Sequence, residues 1–225
     1  MFEKQYKRLF PSFKNKTTMT IKNLVFDFGG VVVTLDHDEA VRRFRKLGLK
    51  DASQQLDPYT QGGIFGELEL GRIGAEEFID QLGALCHRKL SYEECQHAWL
   101  GYRKEVPQRN LDSLVRLREE GYRLILLSNT NPFMMKWAMS GDFDGKGNSV
   151  ADYFDAVYLS YKLGVMKPNE MFFRTMLMEE QILPASTLFI DDGPRNVAAA
   201  SQLGIHVYCP ENGKDWTKEI YQFIK

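Results

Sequence analysis

Carboxylates at the ends of two apolar segments are the residues best suited to chemistry. Asp27 follows the apolar run in "NLVFDFGG", and Asp191 and Asp192 follow another in "TLFIDD". Acidic groups brought together repel one another unless a cation joins them, and hard divalent ions prefer oxygen ligands. The pattern therefore indicates a Mg²⁺ site built from distant parts of the chain.

A second set of residues is suited to phosphate oxygens. Ser128 ends the apolar run "RLILLS", and Lys167 lies in "GVMKPNE". A hydroxyl and an ammonium both donate hydrogen bonds to phosphate. Gly29 and Gly30 come just after Asp27, where the lack of side chains lets backbone N–H groups approach an anion. Together these residues predict a magnesium and phosphate site with Asp27 at its centre.

The elements that must position these residues are short strands alternating with helices. Continuous rather than alternating apolar runs predict four or five buried strands. Helical patterns between the later strands indicate a parallel sheet with right-handed crossovers, whose ligand crevice lies outside the carboxyl ends of the strands. The predicted strands cover residues 23–28, 123–128, 155–160, 187–191 and 205–209, and the helices cover 107–120, 169–182 and 193–203.

The stretch between the first two of these strands is too long for one crossover and is mostly helical in pattern. We therefore expect an α/β fold, a doubly wound and mostly parallel sheet formed by residues 21–37 and 106–225. Residues 38–105 form an inserted helical cap, and residues 1–20 form a flexible N-terminal extension. Phe65 and Trp99 are expected in the core of the cap. Glu69 and Arg72 are candidates to face the crevice.

Composition excludes several classes of function. The 225 residues carry a net charge of −1, which gives no electrostatic reason to expect nucleic acid or an anionic membrane as a partner. No apolar run approaches the ~20 residues needed to span a bilayer. The three cysteines are odd in number and have no C-x-x-C spacing, which favours a reducing, cytoplasmic setting. The oligomeric state stays open.

Four short motifs, in order along the chain, resemble those of the haloacid dehalogenase (HAD) superfamily. They are "FDFGG" at 26–30, "LSNT" at 127–130, "MKP" at 166–168 and "FIDD" at 189–192. The runs "GELELGRIGAEEF", "LSNTNP" and "YLSYKLGVMKP" are similar to a branch of small phosphatases that includes a glucose-1-phosphate phosphatase. The resemblance covers the chain from about residue 21 onward and implies a Rossmann-like core.

The resemblance implies a phosphatase that works through a covalent intermediate. Asp27 would attack phosphorus and form an aspartyl-phosphate. Mg²⁺ would be held by the Asp27 carboxylate, the backbone carbonyl of Gly29 and Asp192, with Asp191 supporting the metal from behind or through water.

The remaining motif residues would handle the phosphate. Ser128 and Asn129 would bind the phosphoryl oxygens, and Lys167 would pair with Asp27 and the phosphate to stabilise charge in the transition state. The expected partner is a small phosphorylated metabolite, with a sugar phosphate as the best candidate.

One position departs from the usual pattern. Most phosphatases of this superfamily have an aspartate at the position of Gly29, which protonates the leaving oxygen and contributes roughly 10²–10⁴ in rate. An active enzyme without it should prefer leaving groups that need little protonation, unless another group supplies the proton. Asp36 and His37 are candidates by their nearness in sequence, although a solvated loop is the favoured interpretation of both.

Two other functions stay open at this stage. A dehalogenase would also use Asp27 as its nucleophile but would need no metal, and the acidic pair Asp191–Asp192 argues against it. A weak phosphate-binding or regulatory protein would have no need of a nucleophile, so the presence of Asp27 and Lys167 argues against that function.

Overall fold

The computed structural model describes residues 20–56 and 62–224. The predicted N-terminal extension lies outside the described residues except for Thr20. No described helix combines the length and the apolar character that crossing a membrane requires.

A five-stranded parallel sheet forms the centre of the molecule, and it confirms the predicted fold class. Its strand order is β5-β4-β1-β6-β7, while β2 and β3 form a separate antiparallel ribbon. From β1 the chain builds outward through β4 and β5, then returns to the other side of β1 for β6 and β7. The strands are β1 (Asn23–Phe26), β2 (Thr34–Leu35), β3 (Arg103–Glu105), β4 (Arg123–Ser128), β5 (Ala156–Leu159), β6 (Thr187–Ile190) and β7 (His206–Tyr208).

The helices of the described residues fall into two groups along the chain. Five lie between β2 and β3, namely α1 (His37–Leu47), α2 (Ala52–Gln55), α3 (Gly63–Glu69), α4 (Ala75–Leu85) and α5 (Tyr92–Trp99). The others follow β3, namely α6 (Gln108–Glu119), α7 (Pro132–Ala138), α8 (Ser160–Leu163), α9 (Glu170–Glu180), α10 (Pro194–Gln202) and α11 (Tyr221–Ile224). Short 3₁₀ helices cover Leu100–Tyr102, Val150–Tyr153 and Pro184–Ser186.

The sheet is buried on both faces, which explains why its strands are continuous apolar runs. Successive side chains of a strand point to opposite faces, so Leu24 and Phe26 join one hydrophobic cluster and Val25 joins the other. The first cluster continues into α6, and the second is completed by α9 and α10. Helix packing on both faces holds the carboxyl ends of the strands at one rigid edge.

Aromatic rings form the centre of the helices between β2 and β3. Phe44, Phe65, Phe78 and Trp99 contact one another with ring centroids between 5.2 and 5.9 Å apart. The expected core positions of Phe65 and Trp99 are confirmed, since both side chains are buried.

The turn that follows α3 lies directly against the sheet portion of the molecule. Gly71 has a φ of +65°, and a Cβ atom there would lie 2.0 Å from the carbonyl oxygen of Tyr161 in α8. Only glycine permits this approach. The C-terminal end of α3 is thereby fixed against the residues that follow β5.

Candidate active site

Three carboxylates converge at the carboxyl edge of the sheet. Asp27 directly follows β1, and Asp191 and Asp192 directly follow β6, which pairs with β1 in the register Phe26 to Ile190. One oxygen from each of the three lies within 4.8 Å of the other two. The structure therefore brings together residues more than 160 positions apart, as the strand pattern predicts.

Lys167 connects two of these carboxylates. Its Nζ atom donates hydrogen bonds to Asp27 Oδ1 at 2.8 Å, to Asp191 Oδ2 at 2.7 Å and to the carbonyl oxygen of Leu127 at 2.9 Å. Burial opposes the charge of Lys167, but the two carboxylates outweigh it and raise the pKa of the ammonium. All three ammonium protons are used, so Lys167 is a fixed positive charge beside Asp27.

Asn129 holds Lys167 in place. Its Nδ2 atom donates to the Lys167 carbonyl at 2.9 Å, and its Oδ1 atom accepts from the Lys167 backbone N–H at 2.8 Å. The side-chain amide is therefore engaged in positioning, a role that the sequence analysis did not assign to it. Ser128 is buried beside it and donates from Oγ to the Asn129 carbonyl at 3.2 Å.

Asp191 is fully buried and accepts hydrogen bonds on both oxygens. Oδ1 accepts from the Gly193 N–H at 2.7 Å and from Asn196 Nδ2 at 3.0 Å. Oδ2 accepts from Lys167 and also from Asn196, at 3.2 Å. These contacts fix the start of α10 and orient Lys167, which suits the supporting role that the sequence analysis expects of Asp191.

The electrostatics of the cluster fit a divalent cation. Burial raises the pKa of Asp27 well above its ordinary range, with Lys167 opposing the rise and Asp191 and Asp192 adding to it. Burial and the charge of Asp191 likewise raise the pKa of Asp192, to about 6. A cation among the carboxylates would reverse both effects and keep Asp27 ionised. The donor set consists of hard oxygens, which suits Mg²⁺.

The two glycines after Asp27 meet different neighbours. Gly30 has a φ of +78°, and a Cβ atom there would lie 2.0 Å from Asp192 Oδ2. A Cβ atom on Gly29 would instead lie 2.9 Å from Leu35 Cδ1. The backbone at position 30 thus lies against a carboxylate of the cluster, while the space beside position 29 is filled by an apolar side chain.

Asp36 and His37 contribute to the local structure of α1. Asp36 is the N-cap and accepts from the Glu39 N–H at 2.9 Å. The Nε2 atom of His37 lies 2.9 Å from the Leu56 carbonyl oxygen. Each side chain thus has a structural hydrogen bond, and neither contact gives a reason to assign it a role in proton transfer.

Glu69, one of the two residues that the sequence analysis named as candidates to face the crevice, is a buried acid, and the sequence did not predict this burial. It is the last residue of α3 and is only 5% exposed, whereas Arg72 is exposed and pairs with Glu67 at 2.8 Å. Glu69 accepts a hydrogen bond from the side chain of Asn131, three residues beyond Ser128. Its Oε2 atom has no hydrogen-bond partner among the described residues. The only signal in the sequence is its place between two leucines.

Comparison with known proteins identifies the family. A model of the haloacid dehalogenase-like hydrolases matches residues 21–204. A D-ribitol-5-phosphate phosphatase from Bacteroides thetaiotaomicron is 50% identical over 200 residues, which cover 89% of this chain and 97% of that protein.

Two solved structures have the same architecture. A HAD-like family hydrolase from Porphyromonas gingivalis has a TM-score of 0.88 and 42% identity over 92% of this chain and 99% of its own. A HAD family enzyme from Bacteroides thetaiotaomicron, solved with magnesium and inorganic phosphate, has a TM-score of 0.81 and 35% identity over 88% and 98% of the two chains.

Proposed function

The chain belongs to the haloacid dehalogenase-like hydrolases, and we propose that it is a Mg²⁺-dependent phosphatase acting on a small phosphomonoester. The observation that carries this proposal is the buried ammonium of Lys167 between Asp27 and Asp191, with the Asp192 carboxylate beside them. A nucleophile, a fixed positive charge and a set of metal ligands are thereby gathered at one strand edge.

Asp27 is the proposed nucleophile, and its surroundings suit the role. Its Oδ1 atom is held by Lys167 at 2.8 Å and by the Phe28 N–H at 2.6 Å, which leaves Oδ2 as the attacking atom. Attack on phosphorus forms an aspartyl-phosphate and releases the alcohol, and water then hydrolyses the intermediate. Lys167 stabilises the charge that develops on the phosphoryl oxygens.

Asp27, Asp192 and the backbone carbonyl of Gly29 are the proposed metal ligands. Mg²⁺ bound there would screen the repulsion between the carboxylate and the phosphate dianion. Ser128 and the backbone that follows it are the proposed phosphate contacts, because the Asn129 side chain is engaged with Lys167. Asp191 orients Lys167 and supports the site without needing to ligate the metal itself.

The proposed substrate class is a phosphorylated sugar or sugar alcohol. Its support is the 50% identity to a D-ribitol-5-phosphate phosphatase over nearly the whole of that relative. Residues 38–105, the helical insertion, are the proposed cap over the crevice, where closure would exclude water and select the alcohol. A reducing, cytoplasmic setting is the proposed location, and the three unpaired cysteines agree with it.

A screen for phosphate release tests this function. The purified protein is assayed against sugar and alditol phosphates with Mg²⁺ and after removal of divalent ions with a chelator. We expect turnover that needs Mg²⁺ and is lost in Asp27→Asn, whereas Asp38→Asn, at an exposed acid in α1, serves as the matched control. Chloride release from 2-haloacids is measured in parallel. Release of chloride without release of phosphate would establish the dehalogenase alternative instead.

A further inference from the structure

The site as described lacks a group that can protonate the leaving alcohol. Gly29 has no side chain, and Leu35 occupies the adjacent space. All three protons of Lys167 are engaged with Asp27, Asp191 and a backbone carbonyl. Loss of an alkoxide without protonation is slow, so an enzyme for sugar or alditol phosphates needs an acid from elsewhere.

One buried carboxyl outside the carboxylate cluster belongs to the helical insertion and contacts Asn131, on the segment that follows Ser128. Glu69 ends α3, and the Gly71 turn just beyond it is fixed against Tyr161 of the sheet portion. The Asn131 side chain that contacts Glu69 is itself held in place, because its Oδ1 atom accepts from the N–H groups of Phe133 and Met134. Glu69 is therefore placed by two elements of the molecule at once.

The second oxygen of Glu69 is the observation that points to a ligand. A buried polar atom normally has a hydrogen-bond partner, and leaving one without any costs stability. Oε2 of Glu69 has none among the described residues, although the side chain is only 5% exposed. Glu69 is also close enough to the site for the positive charge of Lys167 to act on its carboxyl group.

We propose that Glu69 is the catalytic acid and base of this enzyme, with Oε2 giving a proton to the leaving oxygen of the substrate. The inference rests on the proposed phosphatase function and adds the group that Gly29 leaves missing. The proton donor would then come from the cap rather than from the loop after β1.

The two half-reactions balance with this assignment. In the first, Asp27 bonds to phosphorus, the P–O bond to the alcohol breaks, and the Glu69 proton moves to the alcohol oxygen. The products are the free alcohol, the aspartyl-phosphate and ionised Glu69. In the second, ionised Glu69 takes a proton from the water that attacks phosphorus, the P–O bond to Asp27 breaks, and inorganic phosphate leaves with both carboxyls restored.

The protonation state of Glu69 suits this task. Burial raises its pKa to about 7, with the Asn131 hydrogen bond and the charge of Lys167 opposing the rise. Glu69 in turn acts on Tyr102, whose pKa is raised by burial and by the charge of Glu69. A carboxyl with a pKa near neutrality both gives and recovers a proton efficiently.

A comparison of two substrates in one variant tests the proposal. Glu69→Gln keeps the shape and an acceptor for Asn131 but has no carboxyl proton. We expect kcat/KM, which reports the steps up to departure of the alcohol, to fall about 10²–10⁴-fold on an alditol phosphate. On p-nitrophenyl phosphate, whose phenol leaves without protonation, kcat/KM should stay close to that of the wild type, whereas kcat also includes the hydrolysis step that both substrates share. Glu67→Gln, two residues earlier on the exposed side of α3, is the matched control and should leave both rates unchanged.

Each other outcome has a defined meaning. Equal losses on both substrates, or no loss on either, would overturn the assignment of Glu69. Absence of wild-type turnover on both substrates would instead refute the proposed function. Should Glu69→Gln fail to fold, the wild-type pH profiles decide. We expect kcat/KM on the alditol phosphate alone to fall above pH about 7, and parallel kcat/KM profiles on both substrates would count against Glu69.

Discussion

Replacement of Glu69 by glutamine should stabilise the protein at alkaline pH while it impairs the reaction. Glu69 has an ordinary pKa of 4.5 when exposed and a pKa of about 7 in its buried position. The folded protein thus keeps the proton in a range of pH where the unfolded chain has already released it. As the pH rises from 4.5 to 7, the free energy of unfolding of the wild type falls, because ionisation of a buried carboxyl opposes folding.

The size of the effect follows from the two pKa values. A difference of one pKa unit between the folded and the unfolded state corresponds to about 1.4 kcal/mol. The difference between 4.5 and about 7 therefore corresponds to about 3 kcal/mol. Glutamine cannot ionise, so its free energy of unfolding lacks this contribution. The buried amide of the glutamine lacks a hydrogen-bond partner, which lowers the free energy of unfolding by an amount that does not change with pH. For a chain of this length, 3 kcal/mol corresponds to roughly 6–12 °C in Tm.

The assay is chemical denaturation of wild type and Glu69→Gln at several pH values between 4 and 8.5. The difference in free energy of unfolding should shift by about 3 kcal/mol in favour of the variant across this range, most of it below pH 7. Glu67→Gln removes an exposed ion pair with Arg72 and should show only a small shift. A difference that is the same at every pH would show that Glu69 is already ionised in the folded protein and would refute the reasoning.

Four further substitutions probe the carboxylate edge. Asp27→Asn should abolish phosphate release with no loss of the folded state, and measurable turnover in that variant would overturn the nucleophile. Lys167→Met should lower kcat by about 10²–10³ and cost about 3–5 kcal/mol of stability, because it leaves buried carboxylates without their positive partner; denaturation and kinetics measure the two effects separately. Gly30→Ala would place its Cβ on the Asp192 carboxylate, so the Mg²⁺ concentration for half-maximal activity should rise about 10–100-fold. Gly29→Ala meets only the flexible end of a leucine and should stay close to wild type, and equal Mg²⁺ dependence in the two alanine variants would refute the placement of Asp192 as a ligand.

Much of the carboxylate edge was predictable because several of its residues lie at or just after the end of a strand. A continuous apolar run identifies a strand buried on both faces, and the first polar residue after it must lie at the sheet edge. Asp27, Ser128 and Asp191 follow this rule, and the structure places all three at that edge. The order of the four motifs along the chain supplied the remaining information, because no local pattern shows which strands are neighbours in the sheet.

Glu69 could not be predicted in the same way. A glutamate at the end of a helix, two residues before a glycine, is typical of a solvent-exposed turn. Its burial depends on the approach of the Gly71 turn to Tyr161, a contact between residues 90 positions apart. The two hydrogen bonds between Asn129 and Lys167 could not be predicted for a similar reason, because the Asn129 side chain contacts a loop that follows a different strand. Helix and strand periodicity carries no information about such contacts.

The proposed roles divide between the sheet edge, which carries the groups for attack at phosphorus, and the cap, which carries the acid for the alcohol. Asp27 and Lys167 are held by the sheet edge whether or not the cap is closed, because their contacts lie among residues that follow β1, β4, β5 and β6. On the proposed assignment, Glu69 belongs to the cap and gives its proton to the leaving oxygen when α3 packs against the sheet portion as observed. Attack at phosphorus and protonation of the alcohol are then coupled through closure, which favours substrates whose alcohol fits the cap over water or poorly fitting phosphates. An acid on the loop at position 29 would be present in the open state as well and would lack this dependence. An enzyme with glycine at position 29 and its acid in the cap therefore gains selectivity for the alcohol. The buried Glu69 carboxyl lowers the free energy of unfolding once it is ionised, above pH about 7.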